Sequence, residues 1–130
     1  MPDNESHQST IALEDLYEVS NSGDLVSLSV RTGARGQKSL TTVKLNRTIK
    51  VKDVNGSIDK PLPLGSGAEL AGKTLRIKTE ITDISDETND TFIDVRITGG
   101  PNEYRHKVEK TVIADNDSVL YTADIEFFTR

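Results

Sequence analysis

The chain has 130 residues, a formal net charge of -5, no cysteine and no tryptophan. That length suits one domain with a single core. It has no thiols for a disulfide framework or a thiolate metal site, and its acidic balance argues against a protein whose main business is coating nucleic acid. Aromatic residues make up 5% of the chain, which is poor material for the stacking platforms of sugar-binding and single-strand-binding modules. The first thirty residues hold neither a long apolar run nor a basic leader, so no signal peptide or membrane span is expected and the cytoplasm is the default compartment.

Residues 1–9 are polar, charged and without period, and read as a flexible arm before one domain over 10–130. In 10–20, Ile11, Leu13, Tyr17 and Val19 share odd parity and predict a strand, with a short helix through Leu13, Leu16 and Tyr17 as the rival. A turn at Asn21, Ser22 and Gly23 precedes a strand over 24–31 in which Val26, Leu28 and Val30 form the dry face. Gly33 to Ser39 superficially resembles a phosphate loop, but the glycine and lysine are wrongly spaced and no helix signal follows, so it reads as a hairpin loop.

One long strand is expected over 40–54, with a bulge near Arg47. Asn55-Gly56 then has hairpin chemistry, and Pro61 and Pro63 confine the next strand to a sheet edge. Residues 65–72 read as a loop with one turn of helix around Ala68 to Ala71. From Lys73 to Phe128 the period is two throughout. Leu75, Ile77 and Ile81, then Ile93, Val95 and Ile97, then Val119, Tyr121, Ala123, Ile125 and Phe127 make successive dry faces, which predict an antiparallel meander. Seven or eight such strands must fold over to hide their dry faces. The expected class is therefore all-β, an antiparallel Greek-key β-sandwich. The strand pattern resembles that of immunoglobulin-like, C2-like and jelly-roll sandwiches, a likeness that carries no function.

Machinery for covalent catalysis is sparse. The two histidines are His7, in the arm, and His106, whose parity with Tyr104 and Val108 suggests a half-buried packing role. A non-enzyme is expected. Two acidic turns, Asp83, Asp86 and Asp90 in one and Asp115 and Asp117 in the other, invite a calcium site, because the turns should fall at the same end. Ordinary solvated turns explain the same residues, since aspartate is a common turn former.

The charge distribution is more informative. Residues 1–30 carry six acidic groups and no lysine or arginine, whereas 31–52 carry seven basic groups and no acid. Lys44, Lys50 and Lys52 share one face of the expected long strand and Glu14 and Glu18 one face of the first, with Arg35 in the loop between. These stripes either pair within one chain or steer self-association, a partner's docking or an anionic polymer. Phe92, Leu120 and Phe128 lie on the parity expected to face water and suggest an apolar interface patch. The expectation is a structural, assembly or adaptor protein working through protein contacts as a homo-oligomer. The alternative is a ligand-binding module for calcium or an anionic polymer.

Overall fold

A computed structural model describes residues 8–85, 87–114 and 116–130. Among them the chain is nearly all β. Its elements are β1 (Gln8–Glu18), β2 (Leu25–Gly33), β3 (Lys38–Leu45), β4 (Thr48–Asn55), β5 (Ile58–Ser66), the single helical turn α1 (Gly67–Leu70), β6 (Thr74–Thr82), β7 (Asp90–Thr98), β8 (Tyr104–Thr111) and β9 (Ser118–Phe128). A five-stranded sheet has the order β1-β9-β6-β3-β4, and a four-stranded sheet the order β5-β2-β7-β8. Every pairing is antiparallel except β1 with β9, which is parallel.

The dry faces of both sheets form one core. Val26, Leu28, Val30, Ile93, Val95 and Ile97 come from the four-stranded sheet, and Val43, Leu75, Ile77, Ile81, Tyr121, Ile125 and Phe127 from the five-stranded one. Thr79 interrupts the aliphatic run of β6 and is fully buried; its hydroxyl lies 2.9 Å from that of Thr41, its register partner on β3. Each hydroxyl satisfies the other, which is the condition for burying either. Thr91 plays the same part between the sheets, donating to Lys110 O at 2.7 Å and meeting the Tyr121 hydroxyl at 2.7 Å. Among the described residues no helix is long and apolar enough to cross a membrane.

Several expected connections differ. The segments after Lys73 are not a meander: β6 joins the five-stranded sheet, β7 and β8 the four-stranded one, and β9 returns to lie between β6 and β1. Period two identifies a dry face, but both sheets point their dry faces at the same core, so it does not say which sheet a strand joins. The stretch 40–54 is two strands joined by a turn at Asn46-Arg47, where Asn46 takes the left-handed conformation at φ 53°. Asparagine tolerates that region and here also accepts the Thr74 N–H at 2.9 Å, so the turn forms without a glycine signal. The loop after β2 and the Asn55-Gly56 turn are crossings from one sheet to the other, not hairpins. β1 starts at Gln8, so Gln8 and Ser9 of the expected arm pair with Ser118 and Val119; residues 1–7 lie outside the described residues.

Candidate interaction surface

The five-stranded sheet begins with an acidic edge and ends with a basic one. Among the described residues β1 has no strand on one side, and along it Glu14, Asp15 and Leu16 line an open hollow of about 510 Å3 with Thr74, Asp124 and Glu126. Register sets Glu14 beside Asp124 and Leu16 beside Glu126, so these three carboxylates share a face with a leucine that is 58% exposed, while Asp15 lies on the opposite parity. Asp124 is held by the Arg76 guanidinium at 2.8 Å, and Asp15 accepts the Tyr104 hydroxyl at 2.9 Å. Glu14 and Glu126 are exposed and have no ion-pair partner among the described residues. Glu18, grouped with Glu14 by parity, is instead paired with Arg130 at 3.2 Å.

At the other edge, Lys44, Ile49 and Lys52 line a second open hollow of about 350 Å3 with Leu40, Lys78, Glu80 and Leu120. Ile49 is 49% exposed there among charges of both signs, with Lys44, Lys52 and Lys78 outnumbering Asp53 and Glu80, so this edge is basic on balance. Lys44, Arg47 and Lys52 form no ion pair among the described residues. Lys50 leaves the predicted stripe. The β3–β4 register passes from Lys44↔Ile49 to Val43↔Val51, which places Lys50 in a bulge. It sits near Glu69, whose carboxyl is held below its ordinary range first by hydrogen bonds from Ser66 and then by Lys73 and Lys50.

Topology rules out pairing between the two stripes within one chain. β1 and β4 are separated by four strand spacings of about 4.8 Å, or about 19 Å in all. At that distance two unit charges in water interact by only about 0.2 kcal/mol before screening, and the separation exceeds twice the physiological screening length. Within the monomer the charges of β1 and β4 therefore do not neutralise each other, although Asp124 of β9 shares an open hollow with Lys44 and Arg47.

The three apolar residues of the expected patch are separated. Phe92 is on β7, in the other sheet, where its half-buried ring lies against Gly33 and under the Lys107 ammonium at 4.6 Å. Leu120 and Phe128 are both on β9 but eight residues apart, about 27 Å along a strand. Leu120 joins the basic hollow, whereas Phe128 lies 6.0 Å from the Arg130 guanidinium. Arg35 is exposed on the β2–β3 crossing, and His106 is exposed on the edge strand β8, stacked on Tyr104 rather than half-buried.

Of the acidic-turn residues, the structure joins Asp83 and Asp117: the Asp83 N–H donates to Asp117 O at 2.8 Å, and Asn116 N–H to Asp83 O at 2.8 Å. They meet because the β6–β7 and β8–β9 connections both cross between the sheets at this end. Asp83 is fully buried, with Oδ1 accepting from Gln37 Nε2 at 2.7 Å and Oδ2 lacking a hydrogen-bond partner among the described residues. The Asp90 carboxylate accepts the Thr111 hydroxyl at 2.7 Å. Asp86 and Asp115 lie outside the described residues, and among the described residues no three acidic or histidine groups converge as a metal site.

Sequence reasoning missed three residues that matter here. Leu16 fits the rival helical spacing and Ile49 lies within the expected long strand, and only the strand pairing shows both exposed at edges. Gln37 lies in the expected 33–39 loop with no signal of its own, yet its amide oxygen also accepts the N–H groups of Ile84 and Ser85 and so holds the β6–β7 connection. Set against known proteins, the chain matches no family model, no curated protein and no solved structure.

Proposed function

We propose that the protein is a non-catalytic assembly or adaptor module that acts through protein–protein contacts and self-associates, on a frame of the immunoglobulin-like, C2-like or jelly-roll sandwich kind. The observation that carries this reading is the unlike charge of the two outer edges of one sheet, with Glu14 and Glu126 at one and Lys44, Arg47 and Lys52 at the other unpaired among the described residues, each beside an exposed aliphatic side chain. An apolar centre with a charged surround is the composition of a contact surface, and charge of one sign steers a partner of the other. Sedimentation velocity over a concentration series tests it. At low ionic strength the mass should rise above that of one chain, and it should fall back in about 1 M salt, where the screening length is about 3 Å. A single chain at high concentration, indifferent to salt, contradicts self-association.

A second reading rests on Asp83. A buried carboxylate oxygen without a hydrogen-bond donor is costly, and a cation would satisfy it. Calcium bound only by the folded chain must raise its melting temperature, so an unchanged melting point at millimolar calcium removes this reading.

A further inference from the structure

We infer that the partner of the five-stranded sheet is a second copy of this chain, docked side by side with its acidic β1 edge against the basic β4 edge of the first. The inference rests on the self-association proposed above and names the surfaces that make it. Strand directions permit the contact without inverting either copy. β1 is parallel to β9, and β9, β6, β3 and β4 alternate, so β1 and β4 run in opposite directions. A copy displaced sideways in the plane of the sheet therefore presents its β1 antiparallel to β4, the better-bonded arrangement.

Charge selects this occupant over others. An anionic polymer would engage Lys44, Arg47 and Lys52 but leave Glu14 and Glu126 without a role; a basic protein would do the reverse. Only a partner carrying both edges satisfies both, and the chain itself is one. Leu16, exposed among carboxylates, and Ile49, exposed where Lys44, Lys52 and Lys78 outnumber Asp53 and Glu80, supply the apolar part of the same contact.

β4 also limits the contact. Its register shifts against β3 between Thr41 and Val43 and between Val43 and Lys44, and Asp53 is left-handed at φ 51°. Such irregularities interrupt continuous backbone pairing along an edge. Side chains therefore carry most of the association, which makes it sensitive to salt. Because the two patches differ, the contact is heterologous, and each added copy exposes a fresh acidic edge and a fresh basic edge, so copies related by displacement alone extend as an open row and those that also rotate can close a ring.

The test uses the full chain with two charge-reversed variants, Glu14→Lys/Glu126→Lys and Lys44→Glu/Lys52→Glu, each checked for an unchanged melting temperature. At low ionic strength the wild type should sediment above one chain. Either variant alone, carrying like-charged edges, should sediment as one chain, and an equimolar mixture should regain the higher mass. If the wild type associates and both variants associate equally well, the contact lies elsewhere: this inference falls while self-association stands. If the wild type remains a single chain, both fall.

Discussion

On the outer face of the four-stranded sheet, Arg96 is tied to Glu103, and Arg105 to Asp94 at 3.1 Å. The edges of that sheet differ from those of the other. β5 carries Pro61 and Pro63, which have no N–H to offer, and β8, with Arg105, Lys107 and Lys110, is basic like β4 but has no acidic edge across its own sheet. The five-stranded sheet instead ends in a β1 edge with neither proline nor lysine and a β4 edge of opposite sign, with Glu14, Glu126, Lys44 and Lys52 unpaired among the described residues. Sheet edges invite association by default, so under the proposed self-association the five-stranded sheet, with its pair of unlike edges, is the one expected to meet a second copy.

The strongest way to break that comparison is to remove the support of the acidic edge. Phe127 is 1% exposed on β9, the strand that carries β1, and packs edge-on against Tyr17 at 6.2 Å. Phe127→Ala should cost about 3–5 kcal/mol in urea unfolding, with the acidic edge lost along with the core. A smaller effect is expected between β6 and β3. Thr79→Val strands the Thr41 hydroxyl in the core at a cost of about 1–3 kcal/mol, while Thr41→Val/Thr79→Val should be much closer to wild type than the single change. Equal losses in the single and double variants would show that the hydroxyl pair is not the reason for burying threonine there.

Tyrosine ionisation sharpens the link between the sheets. Burial raises all three tyrosine pKa values above the ordinary 10.0, and Tyr104 is raised further by its hydrogen bond to Asp15 of the acidic edge. A phenol with a raised folded pKa contributes stability that is fully present below pH 10 and lost as pH climbs through the raised value. Spectrophotometric titration should show the tyrosines ionising late, and unfolding should accompany it. Tyr104→Phe keeps the ring but removes the Asp15 contact, and should shift the alkaline limit less than any core truncation shifts stability.

Much of the frame was legible because alternation reports a dry face directly. Val26, Leu28 and Val30, Ile93, Val95 and Ile97, and the odd residues of β9 are all buried as their parity implies. Sheet membership was not legible, since facing sheets present the same period to one core, and β6 and β7 therefore read as neighbours. The charge reversal near Arg31 was visible, but its meaning depends on strand order: the same residues could have cancelled had β1 and β4 been adjacent. Lys50 shows a second limit, because one bulge moved it off the stripe that parity assigned. Phe92, Leu120 and Phe128 show a third, because wet-face parity does not distinguish two outer faces.

Hydrogen exchange at low ionic strength, followed strand by strand as protein concentration rises, tests the central claim most directly. The amides of β1 and β4 should gain protection together with concentration and lose it again in salt, while β5 and β8 stay unchanged. Protection that grows on β5 or β8, or on none of the four edges, would contradict it.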